Sequence, residues 1–193
     1  MIGNDIIDLK LAGQQSNWRR RGFLEKVFTT SEIKLLQNSR DVDQIVWLLW
    51  SMKEAAYKAH QRKNCLNRSL NWKVQQCLNF DMEGASATGI VKIGQSRYFT
   101  QSNISTLHIH TVAADKKLLR FRSRLYQLPG EQSKQLLIKE VSELFDTRAK
   151  DLAIRKTEEG IPYLYNKFWA LPLSFSFSDH GRFSGFSFAL IDS

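Results

Sequence analysis

Apolar positions recur along this chain with two different periods, and the change from one to the other marks out its elements. Between residues 41 and 63, Ile45, Leu48, Leu49, Met52, Ala56 and Ala59 return three and four positions apart. At about 100° per residue these fall on one stripe of an amphipathic helix, which must face a core. Nearly opposite stand Trp47, Trp50, Glu54 and Lys58, so a carboxylate and an ammonium lie one turn apart beside two indoles. A surface i,i+4 ion pair is common and worth only about 0.2–0.5 kcal/mol. Two large apolar rings on the same side argue instead for a second packed layer or a ligand. Asp41 with Gln44 supplies a capping box at the start of the helix, and His60, Arg62 and Lys63 suit its negative end.

Elsewhere the period is nearer two. Residues 2–9 are rich in β-branched side chains and predict a short strand, with Gly3, Asp5, Ile7 and Leu9 on one face and Asp8 on the other. A carboxylate between Gly3 and Ile7 is costly to desolvate unless it is paired or metal-bound, which makes Asp5 a candidate site residue; an aspartate reaching water at a sheet end is the plainer alternative. Residues 14–28 carry Arg19, Arg20 and Arg21 followed by Phe23, Leu24, Val27 and Phe28, a basic-then-apolar helical segment. Thr29 and Glu32 then form a second capping box, opening a helix through Leu36.

After Lys63 the pattern predicts strands at 72–80, 87–93, 98–102 and 106–113, separated by the turn-prone Glu83-Gly84 and Gly94-Gln95, as an antiparallel meander. His108 and His110 share one face there and are a possible pair of metal ligands, without a Cys, Asp or Glu nearby to complete a site. A basic run over 115–128 precedes Pro129-Gly130, and a second amphipathic helix covers 133–148. Gly160, Ile161, Pro162 and Tyr163 turn into a strand. Leu173, Phe175 and Phe177 alternate with Ser174, Ser176 and Ser178 up to Asp179-His180-Gly181, and residues 183–191 return as the hairpin partner. A polar face made only of serines leaves room for something to lie against it. The order strand, helix, strands occurs twice, which predicts an α+β protein of two similar lobes, each a long helix on an antiparallel sheet, over 1–116 and 117–193.

Composition narrows the function classes. With 193 residues, 42% of them hydrophobic, and three prolines, the chain can bury a core and is not a largely disordered segment. No apolar run is long enough for a membrane span and no signal-peptide pattern opens the sequence, so a cytoplasmic protein with two reduced cysteines is expected. A formal charge of +9 points to an acidic partner or substrate: nucleic acid, anionic lipid, a phosphorylated cofactor and an acidic protein all fit.

Gly3-Asn4-Asp5, Phe28 to Glu32 (FTTSE) and Trp50 to Lys58 (WSMKEAAYK) together resemble the 4′-phosphopantetheinyl transferase superfamily, whose pattern is G-x-D, F-[ST]-x-x-E and W-x-x-K-E-A-x-x-K. In two-lobed members a G-x-P-[YF] turn and a strand ending S-H-S-G precede these motifs; here GIPY and FSFSDHG follow them, so the chain resembles such an enzyme with its halves exchanged. Asp179 stands at the family's His position and His180 comes one place later, as its candidate substitute.

The resemblance implies a transferase that moves phosphopantetheine from coenzyme A to a serine of an acyl or peptidyl carrier protein. It implies Asp5 and Glu54 as ligands of Mg²⁺, Glu54 and Lys58 as catalytic groups, and Lys53, Lys58, Pro162, Tyr163, Ser176, Ser178 and His180 as coenzyme A contacts. It also implies an acidic carrier docking near Arg19, Arg20 and Arg21 on a monomer. A basic nucleic-acid-binding module would leave Asp5 and Glu54 without a task, whereas a non-catalytic carrier-binding scaffold accounts for Asp179.

Overall fold

The computed structural model describes residues 1–69, 71–117 and 120–191, so that Leu118 and Leu119 of the basic run lie outside it. β1 (Ile2–Asp8) is the central element, buried over its whole length. It forms one edge of a five-stranded antiparallel sheet of order β1-β5-β4-β3-β2, where β2 is Gln75–Glu83, β3 Ser86–Ile93, β4 Ser96–Ile104 and β5 His108–Ala114. The meander expected from the alternating pattern is therefore present, with Gly84 and Gly94 taking left-handed conformations at its turns.

The long helix, α4 (Val42–Asn64), lies across this sheet with Leu48, Leu49, Met52, Ala56 and Ala59 inaccessible to solvent. Small residues set how closely it approaches. A Cβ on Gly3 would sit 2.1 Å from the Ala55 carbonyl oxygen, so the first glycine of the G-x-D motif is dictated by backbone-to-helix contact. Of the two explanations for the tryptophans, the second packed layer is realised. Trp50 stacks on Phe23 (centroids 5.9 Å apart) and lies 4.1 Å from Trp72, beneath α2 (Phe23–Val27) and α3 (Thr30–Gln37).

At the start of α3 the full capping box forms: Glu32 N–H donates to Thr29 Oγ1 and Thr29 N–H donates to Glu32 Oε2. At α4 only half of the expected box is made, Gln44 N–H donating to Asp41 Oδ1.

Two helical expectations are corrected. Residues 14–28 are not one segment: α1 (Leu9–Gln15) is capped by Asp8, and the three arginines occupy the following turn, ended by Gly22 at φ 81°. The second amphipathic helix, α5, runs Gly130–Leu144, starting after Pro129 and stopping before Asp146, whose φ of 46° cannot continue it.

In the second lobe α5 packs Leu137 and Val141 onto Phe175, Phe186 and Phe188 of a three-stranded sheet, β10-β11-β6. Its members are the predicted hairpin, β10 (Leu173–His180) with β11 (Phe183–Leu190), and β6 (Arg122–Tyr126), concealed within the basic run because Arg122 and Arg124 line its solvent face. A small sheet of β7 (Leu152–Lys156), β8 (Pro162–Asn166) and β9 (Trp169–Ala170) completes the lobe. The protein is thus α+β, with two lobes that each set a long helix against antiparallel strands.

What lies against the serine face is the chain's own first strand. β1 pairs with β5 along one edge; on the other, every second amide donates to a side chain of β10. Ile2, Asn4 and Ile6 N–H reach Ser174, Ser176 and Ser178 Oγ at 3.0, 3.1 and 3.1 Å, and Asp8 N–H reaches His180 Nδ1 at 2.8 Å. An open sheet edge is thereby satisfied by side chains rather than by another strand. Hydroxyls on a single carbon allow the two strands to approach this closely, and a ladder of them fixes the register between the lobes.

Candidate active site

The junction of the lobes opens into a cavity of about 820 Å³. One wall is the polar side of α4, where Glu54, Lys58, Gln61 and Arg62 project at helical spacing; the other carries Pro162, Ser178 and Asp179 from the second lobe, with Asp5 of β1 between them. Gln61 Nε2 donates to the Glu159 carbonyl at 3.1 Å, linking the walls.

Lys58 is fully engaged. Its three ammonium protons meet the Asn4 carbonyl at 2.8 Å, Asp5 Oδ1 at 3.1 Å and Ser178 Oγ at 3.2 Å. Asp5 Oδ1 also accepts from Ser178 Oγ at 3.2 Å. The other carboxylate oxygen, Oδ2, is buried without a partner among the described residues. A half-satisfied buried carboxylate is unfavourable by itself, and it sits beside a second one. Burial first, and then the negative charge of Asp5, push Glu54 up to about 7, against the opposing pull of Lys58 and Arg68.

This donor set fits a hard divalent cation. Mg²⁺ commonly takes one or two carboxylates and completes its octahedron with water and substrate phosphate oxygens. Asp5 Oδ2 and Glu54 are the two carboxylates that such an ion would find here. No cluster of three or more His, Cys, Asp or Glu that could hold a metal occurs among the described residues. His108 and His110 belong to no such cluster; His108 Nδ1 bonds to Ser105 Oγ at 3.0 Å, and His110 is buried with Nε2 3.4 Å from Ser123 Oγ.

Asp8 is turned away from this centre. Arg182 holds it in a two-pronged ion pair, Nε to Oδ2 and Nη2 to Oδ1 at 2.8 Å each, and keeps its carboxyl far below the usual range. It also caps α1 through Lys10 and Leu11 N–H.

Several residues expected at a ligand have other tasks. Lys53 is wholly buried, donating to Glu32 Oε2 at 2.7 Å and to the Val27 carbonyl at 2.8 Å, so it cannot meet a phosphate. Ser176 is wholly buried under β1, and the His180 ring nitrogen Nδ1 is taken by Asp8 N–H. Of the GIPY turn, Pro162 lines the cavity, whereas Tyr163 lies outside that lining, opposite Arg155 in the β7–β8 pairing. At the family's His position it is Asp179 that faces the cavity.

Two cations were missed. Arg62 lines the cavity with Nε buried and unpartnered among the described residues, its Nη1 donating to the Lys58 carbonyl at 3.1 Å; burial lowers its guanidinium to about 10, so it remains charged at neutral pH. Arg68 also lines the cavity. Extending the Glu54–Lys58 row by one more helical turn reaches Arg62, a signal present in the sequence.

The fold and the cavity together describe a two-lobed α+β protein with paired carboxylates and a cationic wall at the lobe junction. A family model of the 4′-phosphopantetheinyl transferase superfamily matches residues 1–115, which carry both carboxylates, and the chain belongs to that superfamily. Among solved structures, the chain is similar to Helicobacter pylori holo-[acyl-carrier-protein] synthase (AcpS) in complex with coenzyme A. That match has 15% identity and a TM-score of 0.28, over 98% of this chain and 99% of the other. No curated protein matches the chain. Among the described residues, no helix is long and apolar enough to cross a membrane.

Proposed function

We propose that this protein transfers 4′-phosphopantetheine from coenzyme A to a serine of an acyl or peptidyl carrier protein, with Mg²⁺ as the metal. The observation that carries this reading is the unpartnered Asp5 Oδ2 beside Glu54, with Lys58 adjoining, in a cavity large enough for a nucleotide.

In the reaction the carrier serine oxygen attacks the pantetheine-side phosphorus of the pyrophosphate. A new P–O bond forms, the bridging P–O bond breaks, and 3′,5′-ADP leaves with the bridging oxygen. A divalent ion held by Asp5 and Glu54 would neutralise charge on the pyrophosphate oxygens. Glu54, which lines the cavity, accepts the serine proton directly or through water. Lys58 contributes a fixed positive charge at the floor of the cavity, and it can turn toward an anion by releasing one of its three present bonds. Arg62 and Arg68 supply the cationic surface that Asp179 does not.

The second lobe follows the matched segment, in keeping with halves exchanged in order and a boundary after residue 116. A self-contained cleft favours a monomer, and a cytoplasmic setting suits the coenzyme A pool. Arg19, Arg20 and Arg21, in the turn that follows α1, are the docking surface for an acidic carrier.

The test is incubation with coenzyme A, Mg²⁺ and a panel of apo-carriers. A carrier mass increase equal to phosphopantetheine, abolished by chelation, supports the reading. Carrier binding with no mass change on any carrier favours the scaffold, the alternative that the carboxylate of Asp179 motivates.

A further inference from the structure

Ser178 differs from the other rungs of the serine ladder. Ser174 and Ser176 each accept a β1 amide, but the Ser178 hydroxyl makes three bonds: it accepts from Ile6 N–H at 3.1 Å and from Lys58 Nζ at 3.2 Å, and it donates to Asp5 Oδ1 at 3.2 Å. One donor and two acceptor sites are all that a hydroxyl has. Ser178 lines the cavity with all three of these sites engaged, so its hydroxyl has a task of its own beside its expected role as a coenzyme A contact.

Its proton goes to the same carboxylate oxygen that Lys58 holds, and with two donors on Oδ1 the carboxylate plane is fixed and Oδ2 is left free. The backbone next to Asp5 is held by the same atom, through Ile6 N–H. We propose that Ser178 is a positioning residue for the metal centre: a side chain from the second lobe that orients the Asp5 carboxylate of the first, so that Oδ2 faces the ion. This rests on the reading of Asp5 and Glu54 as metal ligands. Outer partners that orient a ligating carboxylate typically change metal affinity by about 10–100-fold when removed. It follows that the lobes must be in register before the ion binds tightly, since the orienting hydroxyl comes from β10.

Ser176 provides the comparison, because it caps the equivalent amide of Asn4 without touching a carboxylate. Mn²⁺ affinity of the protein with saturating coenzyme A, read by electron paramagnetic resonance, is measured together with thermal unfolding. Ser176→Ala and Ser178→Ala should both lower the unfolding temperature. Only Ser178→Ala should weaken Mn²⁺ binding, by about 10–100-fold, and Ser178→Thr, which keeps the hydroxyl, should restore most of it. If Ser178→Ala does not fold, Ser178→Cys, which retains size but offers only a weak donor, is read in the same way. Wild-type Mn²⁺ affinity in the variant lacking the hydroxyl overturns the positioning role alone. A wild-type protein that binds no Mn²⁺ overturns the metal-site reading and this inference with it.

Discussion

Lys53 and Glu32 form a wholly buried ion pair, Nζ to Oε2 at 2.7 Å, that joins the W-x-x-K-E motif of the long helix to the F-[ST]-x-x-E motif before it. Glu32 Oε2 also receives Thr29 N–H, and Oε1 receives Cys77 N–H at 2.7 Å, so one carboxylate ties a helix cap, the long helix and an outer strand together. Two of the three motifs are thus linked for architecture, and they hold α4 where Glu54 can face the cavity.

Removing one partner of such a pair leaves the other charge buried and unpaired. Lys53→Met should therefore destabilise the fold by about 3–5 kcal/mol, and Lys53→Met combined with Glu32→Gln by less than the sum of the two single changes. Urea unfolding of the four proteins checks this. Because Lys53 does not reach the cavity, coenzyme A affinity of the folded single variant should match that of the wild type; a specific loss of coenzyme A binding would restore a ligand role to Lys53.

His110 predicts a pH-dependent stability. Burial, reinforced by the neighbouring positive charges of His108 and Lys58, lowers its imidazole to about 4. Its pKa when unfolded is near 6.5, so between these values the unfolded state binds the extra proton. The stabilisation is complete above about pH 6.5 and is lost as pH falls toward 4. From pH 7.5 to pH 5 this component amounts to about 2 kcal/mol. His110→Gln should unfold with a correspondingly shallower pH dependence over that range; equal slopes for variant and wild type would show that the buried ring does not set it.

The arginine turn carries a prediction about association. Arg19 is held in a bidentate pair with Asp43 and lies over Trp18, whereas Arg20 and Arg21 are exposed. Charge reversal at Arg20 and Arg21 avoids breaking the Asp43 pair. It should slow carrier association, most strongly at low salt, with little change in coenzyme A affinity, since exposed charges act mainly on encounter rate. Stopped-flow association at two ionic strengths separates the effects, and equal losses for both ligands would count against a docking role.

Much of this architecture was legible because it is local. The spacing of Ile45, Leu48, Leu49 and Met52 predicted the long helix, Thr29 and Glu32 its neighbour's cap, and Phe175 and Phe177 the hairpin. What could not be read were contacts set by distant chain segments. The serine face of β10 invited a ligand, but its partner is β1, some 172 positions away in sequence. Lys53 looked available for phosphate because the carboxylate that buries it belongs to another helix. β6 stayed hidden because arginines on its open face resemble a linker. Arg62 was within reach of periodicity and was passed over as a helix-end charge.

The most direct test of the account is calorimetric titration of Mg²⁺ into the protein–coenzyme A complex, comparing wild type with Asp5→Asn and Glu54→Gln. One Mg²⁺ site, lost or strongly weakened in each variant while coenzyme A still binds, is the predicted result. Undiminished Mg²⁺ affinity in both variants would contradict the paired-carboxylate centre on which the transfer mechanism depends.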